Sequence, residues 1–426
     1  MNIPLYPIMI STEFSVPSLR ISDYTYKLPE DRVAKYPLPE RDASKLLVYL
    51  QPAQGSRPDI RDDVFVNLPR ILPANSLLVF NNTKVVPARL FFTKETGAHI
   101  EVFCLEPASP KEYILAFSQH ASSVWYCAVG NAKKWKSGAL PLYNPQNDPV
   151  IALLGLSATM IDKEGDRYLV RFSWSPDVPF SRVLELSGKV PIPPYLKREA
   201  EEADIERYQT VYARNRGSVA APTAGLHFSS RVIGELLERQ MKIQELTLHV
   251  GAGTFRPVKS HYIRDHVMHC EPFSVPVSFL ESLRDHVGPL VSVGTTSCRC
   301  LESLYYLGLQ SISGKDPSFV GQWEPYFTSS EISYKESLDA LIGYLKRNRI
   351  ETLEASTQIL IIPSYRFRGT DILITNYHQP NSTLLLLIAA FTGDDWRLIY
   401  NHALMNNYRF LSYGDSSVLF SSKYCK

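Results

Sequence analysis

The chain has 426 residues, of which 45% are hydrophobic and 21% are charged, as in ordinary globular proteins. That length is too great for one hydrophobic core and predicts two domains. The formal net charge of +2 excludes a protein that binds nucleic acid through its overall charge, although a local basic face is still possible.

Six cysteines are spread irregularly along the chain and form no Cys-x-x-Cys pair, which favours a reducing cytoplasm over a disulfide-stabilised exterior. The first residues show neither the basic lead nor the small-residue cleavage site of a signal peptide. The longest apolar run, residues 384–391, is far shorter than the roughly 20 residues that cross a membrane. We therefore expect a cytoplasmic protein without a membrane segment.

In chain order, residues 1–22 match no pattern and are expected to form an extension. Residues 23–61 pass through a proline-rich turn and begin the larger domain. Between residues 62 and 174, short apolar or alternating runs are separated by turn signals, as in β-structure. The predicted strands are residues 77–80, 89–93, 100–105, 124–129, 151–154 and 168–172. Several short strands at such close spacing indicate a small barrel or sandwich.

Residues 175–426 continue the larger domain. The predicted helices are residues 231–240 and 334–347. The predicted strands are residues 246–250, 291–293 and 358–362. Strands that alternate with helices indicate a largely parallel sheet. Ligands bind at the carboxyl ends of such strands, so we expect the site there. The segments that follow predicted strands are residues 249–255, 294–297 and 376–380.

The most distinctive segment, residues 208–228, combines a possible base, His227, with small hydroxyl side chains and two arginines. Gly217, Pro222 and Gly225 interrupt both the helical and the strand periodicity. Small residues let a ligand approach the backbone closely. The segment is therefore either a ligand-binding loop or a tight buried turn.

Eight segments together carry a resemblance to a known family. They are residues 23–48, 77–90, 208–228, 246–258, 266–273, 293–303, 373–393 and 408–415. With segments such as YQTVYARNRGSVAAPTAGLHF and LTLHVGAGTFRPV, the chain resembles the S-adenosylmethionine:tRNA ribosyltransferase-isomerase family of the queuosine pathway. The resemblance implies an α/β main domain (residues 23–61 and 175–426) with an inserted all-β barrel-like domain (residues 62–174), and we expect a monomer.

The resemblance also implies a reaction. The ribosyl part of S-adenosylmethionine is transferred to 7-aminomethyl-7-deazaguanine at the tRNA wobble position and rearranged to epoxyqueuosine, while adenine and methionine leave. A base must take a proton from C5′ beside the sulfonium, and an acid must assist the departing adenine, which favours His and Glu side chains. Because the sulfonium activates the substrate, we expect no metal and no cofactor beyond S-adenosylmethionine as co-substrate.

Four residues are candidates for proton transfer: His227, His249, His269 and Glu271. His227 is the first choice because it lies among small residues in the most distinctive segment, although a loop-orienting role also suits a histidine. His249 ends a predicted strand, where it could instead face a helix. His269 and Glu271 suit an acid–base pair. Their cluster also invites a metal interpretation, but no second ligand pair lies nearby, so we expect no zinc site.

Substrate-binding candidates come from several segments. A hydroxyl-rich helix start after a strand suits the methionine carboxylate, although Ser and Thr there more often only cap the helix. A glycine turn after His249 would let adenosine or methionine approach the backbone. The pair Arg41 and Asp42 suits a carboxylate and a ribose, or a salt bridge between domains. The set is Arg41, Asp42, Asn82, Thr83, Arg89, Thr223, Gly251, Gly253, Thr295, Thr296, Asn376 and His378.

Cations alternate with aromatic residues between residues 189 and 216. This combination suits phosphate contacts and base stacking on the anticodon stem-loop of a tRNA whose wobble position is modified. A solvated surface loop is the alternative. The candidates are Arg198, Tyr208, Arg214 and Arg216.

The chain departs from the family pattern at Asn82, where the family has Asp, and at Cys270, Cys300, Ser364 and Gln379. A non-catalytic tRNA-binding paralog of the same fold is therefore the alternative function. None of these departures removes a candidate proton-transfer residue, so we expect an active enzyme. An ordinary methyltransferase is disfavoured because the sequence shows no glycine-rich loop with the expected acidic residue after it.

Overall fold

The computed structural model describes residues 9–10, 17–51, 57–175, 177–251 and 258–422. The strands are β1 Met9–Ile10, β2 Lys45–Leu50, β3 Asp59–Val64, β4 Leu77–Asn81, β5 Thr83–Val85, β6 Arg89–Thr93, β7 His99–Ser109, β8 Ser122–Gly130, β9 Ala139–Pro141, β10 Ser157–Glu164, β11 Arg167–Ser173, β12 Asn215–Ser218, β13 Lys242–Leu248, β14 Glu271–Pro276, β15 Leu290–Val293, β16 Phe319–Val320, β17 Thr328–Ser329, β18 Thr352–Thr357, β19 Ile372–Asn376 and β20 Ser416–Phe420. The helices are α1 Leu68–Ile71, α2 Tyr113–Phe117, α3 Pro149–Leu154, α4 Phe180–Ser187, α5 Glu202–Arg207, α6 Ser230–Glu238, α7 Val277–Asp285, α8 Thr295–Ile312, α9 Glu324–Phe327, α10 Tyr334–Arg347, α11 Thr383–Thr392 and α12 Trp396–Met405.

The larger part is built on one ten-stranded sheet with the order β16-β18-β14-β13-β4-β15-β19-β20-β2-β3. Neighbouring strands are parallel through its centre, β13-β4-β15-β19. Antiparallel pairs flank this centre at β13–β14 and β19–β20, and recur outward at β14–β18 and β2–β3. The predicted largely parallel sheet is therefore corrected to a mixed sheet with a parallel centre. Whether two neighbouring strands run parallel or antiparallel depends on how the chain connects them across the sheet. The alternation of strands and helices along the sequence does not reveal these connections.

The central strands are buried on both faces. Every residue of β4, β15 and β19 is buried. Along β4, Leu77 and Val79 pack into one core while Leu78 and Phe80 pack into the other, as the alternation of side chains along a strand requires. Helices α8, α10 and α11 contribute to the first core, and α6 contributes to the second. Each such side chain stabilises the fold by about 1.5–3 kcal/mol when it is fully buried.

Residues 89–173 contain a six-stranded antiparallel sheet with the order β6-β7-β8-β11-β10-β9. A bridge between Phe92 and Leu142 joins its two edges, so the sheet is nearly closed. It encloses its own core, which includes Trp125, Phe172 and the α4 side chain Phe180. A barrel-like antiparallel sheet is therefore present, and the exact limits of the two domains stay a prediction.

The predicted helices at residues 231–240 and 334–347 correspond to α6 and α10. The strand predicted at residues 77–80 exists as β4, but it lies in the ten-stranded sheet and not in the barrel-like sheet. The strand predicted at residues 151–154 is wrong: these residues lie in α3, because Asp148 accepts hydrogen bonds from the first free amides of that helix. The strand predicted at residues 358–362 is also wrong, since β18 ends before it.

Two local features of the fold position the residues of the candidate site. The chain passes from β4 of the large sheet through β5 to β6 of the barrel-like sheet, and β12 pairs in parallel with β5 at this junction. At the centre of the large sheet, Gly294 joins β15 directly to α8 with a φ of +89°. A residue with a Cβ would be strained there, so glycine allows the helix to start at the strand's carboxyl end.

Candidate active site

A cleft lies at the carboxyl ends of β15 and β19, where the sequence predicted the site. It brings together five of the predicted substrate-binding residues: Thr223, Thr295, Thr296, Asn376 and His378. The small residues 220–222 and 224 from the distinctive segment form another part of its wall. The prediction that this segment lets a ligand approach is consistent with its place in the cleft.

The N-terminus of α8 opens into this cleft. Its cap residue, Gly294, has no side chain to accept from the first amides of the helix. The free amides and the positive end of an 18-residue helix attract a carboxylate or phosphate. Thr296 lines the same cleft, and its buried hydroxyl has no hydrogen-bond partner among the described residues. This end of the cleft is therefore suited to an anionic group.

Asn376 lies at the end of β19 and is only 3% exposed. Its amide nitrogen donates to His227 Nε2 at 3.0 Å and to the carbonyl oxygens of Leu411 and Asp415 at 3.3 and 3.4 Å. Its amide oxygen has no partner within the described part of the chain. Since an unpaired buried acceptor is costly, this oxygen is suited to accept a hydrogen bond from a ligand.

His227 lies behind Asn376 and does not line the cleft. Nε2 accepts from Asn376, so Nδ1 carries the proton and donates to the Ser44 hydroxyl at 2.8 Å. Burial, together with the positive charges of Arg409 and Arg41, lowers the pKa of His227 to about 3. The neutral imidazole thus holds Asn376 in place. Ser44 was not a sequence candidate, because nothing local connects it with a histidine 183 residues away.

His378, in contrast, lines the cleft. Its Nε2 lies 2.9 Å from the Thr375 hydroxyl, and burial lowers its pKa to about 3. Its backbone is fixed from two sides, since its amide donates to the Tyr400 hydroxyl and its carbonyl accepts from Tyr26. A neutral, rigidly held imidazole of this kind can position a substrate group.

His249 lies away from the cleft, at the junction with the barrel-like sheet. Its ring stacks on Tyr113 with a centroid distance of 5.0 Å, and burial lowers its pKa to about 4. Gly217 leaves the room for this ring, because a Cβ there would lie 2.3 Å from Nδ1. The structure therefore separates His249 from His227 and gives each a different neighbourhood.

His269 and Glu271 form the predicted pair. His269 Nε2 lies 3.1 Å from one carboxylate oxygen of Glu271, and Arg299 of α8 donates to the other. Burial alone would raise the pKa of Glu271, but Arg299 and His269 lower it to about 2. Glu271 is thus a permanent carboxylate, only 1% exposed, whereas the His269 side chain is 27% exposed. Neither residue lines the cleft.

Arg41 and Asp42 are engaged in protein contacts. Asp42 is buried and accepts from the Ser229 hydroxyl at 2.5 Å and from Arg231 at 2.9 Å. Arg41 donates to three backbone carbonyls, those of Glu206, Arg207 and Leu226. In the structure, Arg41 and Asp42 therefore make structural contacts within the protein. Neither residue lies in the cleft.

Asn82, Thr83 and Arg89 also lie outside the cleft. Asn82 donates to Glu245 at 3.1 Å and accepts from Thr247 at 2.9 Å. An aspartate at this position would face the carboxylate of Glu245, so the departure from the family pattern matches its surroundings. The Thr83 hydroxyl pairs with Ser218, and Arg89 pairs with Glu101 on the barrel-like sheet.

The four tRNA candidates divide into two pairs. Arg198 is held by Asp204 through two contacts of 2.7 and 2.8 Å, and Tyr208 is completely buried. Neither can serve as a surface contact for RNA in this arrangement. The side chains of Arg214 and Arg216 are 68% and 49% exposed and pair with Glu245 and Glu185. These two cations remain accessible.

Gly251 is half-buried and open to additional atoms, whereas Gly253 lies outside the described residues. In the described ranges, no three His, Cys, Asp or Glu side chains stand close enough to hold a metal ion. Within the same ranges, we find no helix with the length and apolar character needed to span a membrane.

Comparisons with known proteins identify the family of this chain. The family described as Queuosine biosynthesis protein matches residues 21–419. The S-adenosylmethionine:tRNA ribosyltransferase-isomerase of Francisella tularensis subsp. mediasiatica is 36% identical over 407 residues, which are 94% of this chain and 100% of that protein. The enzyme of the same name from Aromatoleum aromaticum is 38% identical over 404 residues, covering 94% and 97%.

Among solved structures, the crystal structure of S-adenosylmethionine tRNA ribosyltransferase from Thermotoga maritima is 25% identical, covers 94% of this chain and 100% of that chain, and superposes with a TM-score of 0.43. The family match spans nearly the whole chain, and the curated relatives are matched over almost their full length. The chain therefore belongs to the queuosine biosynthesis family.

Proposed function

We propose that the chain transfers and isomerises the ribosyl moiety of S-adenosylmethionine onto 7-aminomethyl-7-deazaguanine at the wobble position of a tRNA, with release of adenine and methionine. Its family membership and the names of its relatives support this reaction. The observation that best supports it is the cleft at β15 and β19, which is lined by the first residues of α8 and by Asn376, whose buried amide oxygen has no described partner.

S-adenosylmethionine fits the polarity of this cleft. The methionine carboxylate binds the amides at the start of α8 and the Thr296 hydroxyl. A ribose hydroxyl donates to the amide oxygen of Asn376. His227 and Ser44 position this amide from behind, so His227 acts through Asn376 and is a positioning residue in this proposal.

For proton transfer we favour the pair of His269 and Glu271. Glu271 is ionised and fixed by Arg299, so it holds the His269 ring in one orientation. The other ring nitrogen of His269 has no partner among the described residues. The pair does not line the cleft, so in this proposal the substrate extends beyond the cleft to reach it, on the side where Arg299 of α8 meets Glu271. His227 and His249, whose pKa values are lowered to about 3 and about 4, are weaker bases in their buried positions.

The sulfonium of S-adenosylmethionine supplies the activation, so we propose no further cofactor. The described cysteines are all free thiols, which supports the cytoplasmic compartment that we expect. We also propose a monomer, and analytical ultracentrifugation tests this point directly.

One assay tests the proposed reaction. The protein is incubated with S-adenosylmethionine and a tRNA that carries 7-aminomethyl-7-deazaguanine, and products are identified by mass spectrometry. Free adenine, methionine and epoxyqueuosine in the tRNA support the proposal. Binding of both substrates without products would instead identify a non-catalytic tRNA-binding paralog, and S-adenosylhomocysteine would identify a methyltransferase.

The Thr296 hydroxyl offers a test of the carboxylate site. Thr296→Val should weaken S-adenosylmethionine binding by roughly 10–150-fold, because a hydrogen bond to a charged group contributes about 1.5–3 kcal/mol. The melting temperature should not fall, since the hydroxyl has no hydrogen-bond partner among the described residues. Calorimetric titration measures the affinity.

Ser297→Ala is the matched control. Ser297 lies on the same turn of α8 and its hydroxyl is also buried without a described partner, but it does not line the cleft. Equal affinities of the wild type and the Thr296→Val variant would place the methionine carboxylate elsewhere.

Arg214 and Arg216 offer a test of tRNA binding. Replacing both by Ala should weaken tRNA binding and reduce the slope of log affinity against log salt by about 1.4, since each contact to a single-stranded phosphate contributes about 0.7. S-adenosylmethionine binding should be unchanged. Arg61→Ala is a suitable control, because Arg61 is equally exposed and also paired with a carboxylate. An unaltered slope would mean that the RNA contacts another surface.

A further inference from the structure

A second cavity lies between the barrel-like sheet and the ten-stranded sheet, separate from the cleft at β15 and β19. From the barrel side it is lined by Phe117 and Ser118 at the end of α2 and by Ser181 on α4. From the other side it is lined by Lys84, residues 213–216, Thr247, His249 and Ser274. We call this space the junction cavity.

The charge of the junction cavity has one sign. Lys84, Arg214 and Arg216 line it, and no aspartate or glutamate does so among the described residues. The two arginines are paired with Glu245 and Glu185, which lie outside the cavity. Lys84 forms no ion pair with any described residue. Lys84 is thus a half-buried cation without a described counter-ion, and an anion in the cavity would supply one.

The junction cavity continues into grooves at both ends. Lys84, Ala213 and Arg216 also line a larger groove, which contains both cations (Arg41, Arg182 and Lys189) and carboxylates (Glu185, Glu201, Glu202 and Glu206). Residues 214, 215, 247 and 274 also line a third cavity, beside Asn82 and Glu245. The three spaces therefore follow the β5–β12 ribbon as one path. Because carboxylates line the larger groove and the third cavity, the place that suits a phosphate best is the junction cavity itself, which no described carboxylate lines.

Neutral hydrogen-bonding groups complete the cavity. Ser118, Ser181, Thr247 and Ser274 line it, and the Thr247 hydroxyl is already bonded to Asn82 and Asn215. His249 contributes an uncharged imidazole, because burial lowers its pKa to about 4. Hydroxyl groups together with cations are the usual partners of phosphate oxygens in nucleic-acid complexes.

We propose that the junction cavity binds a phosphodiester of single-stranded RNA, with Lys84 as its central cation and with α2 and α4 of the barrel side as its second wall. The inference rests on the proposed tRNA substrate and specifies where a phosphodiester of that RNA binds. It gives the barrel-like sheet a role in holding the RNA strand. It also adds Lys84 and Ser181, which no sequence pattern singled out, to the two accessible arginines.

The test is RNA binding by the full-length protein, measured by fluorescence anisotropy with an anticodon stem-loop hairpin that has an unmodified guanine at the wobble position. Lys84→Gln should weaken binding several-fold and reduce the salt slope by about 0.7, the value for one single-strand phosphate contact. Ser181→Glu places a carboxylate in the cavity and should also weaken binding. Lys133→Gln, an equal loss of charge at an exposed turn outside the groove, should leave the slope unchanged.

The inference and the proposed reaction can fail separately. If Lys84→Gln and Ser181→Glu bind the hairpin with the wild-type affinity and slope while adenine is still released, the junction cavity does not hold RNA. If the wild type binds the hairpin in a Lys84-dependent way but releases no adenine, the inference stands and the reaction is wrong. A wild type that does not bind the hairpin at all overturns the inference.

Discussion

Replacing His269 by Ala is expected to lower kcat by roughly 10²–10⁴-fold, the usual contribution of a general acid or base. The expectation follows from the arrangement in which buried Glu271 accepts from one ring nitrogen, while the ring is 27% exposed and its other nitrogen has no described partner. The loss should appear in kcat and not in substrate affinity, because the imidazole acts on a proton in the transition state.

The measurement is single-turnover release of adenine, together with the melting temperature. His266→Ala is the matched control, since it removes a partly buried imidazole three residues away that does not contact Glu271. If His269→Ala turns over within a few-fold of the wild type, the pair is structural. The base must then be sought at His227, His249 or His378.

His227→Ala separates a positioning role from proton transfer. In the positioning role, Asn376 loses the partner that holds its amide, so binding of S-adenosylmethionine and turnover should both fall. His227→Gln should restore part of both, because the amide oxygen of Gln can take the position of Nε2 and accept from Asn376. Loss of deuterium exchange at C5′ of S-adenosylmethionine in His227→Ala, with unchanged binding, would instead identify His227 as the base.

Replacing Glu271 by Gln is expected to lower the free energy of unfolding by about 3–5 kcal/mol, because it leaves the guanidinium of Arg299 buried without a counter-charge. Arg299 is 4% exposed, so water cannot compensate. Urea denaturation measures the change. The double variant Glu271→Gln/Arg299→Met should recover much of the loss, since it removes both charges.

The same pair predicts a pH dependence. The folded-state pKa of Glu271 is about 2, below its ordinary value of 4.5, so its contribution to stability is fully present above about pH 4.5 and is lost as the pH falls toward 2. The wild type should therefore lose more stability than Glu271→Gln across this window. Asp394→Asn, at a fully exposed surface pair, should change stability little. If the free energy of unfolding falls by the same amount in the wild type and in Glu271→Gln between pH 4.5 and 2, the assignment is contradicted.

The local patterns predicted the barrel-like sheet, α6 and α10, and the position of the cleft at strand carboxyl ends. They predicted these features because periodicity and turn residues act over short distances. The same patterns misassigned residues 151–154 and 358–362 as strands. In the first range, the cap that Asp148 provides favours a helix. They also missed the antiparallel flanks of the large sheet, because pairing direction is a long-range property.

The sequence by itself determined the family, the chemistry to expect and most of the candidate side chains. Only the tertiary structure decided which candidates share a space. Thr223, Thr296 and Asn376 meet in one cleft, whereas His227 supports it from behind, and Asp42 is bound by Ser229 and Arg231. The physical reason is that burial and pairing set both the charge state and the free hydrogen-bonding capacity of a side chain. These depend on neighbours that are distant in the chain, such as Ser44 beside His227 and Arg299 beside Glu271.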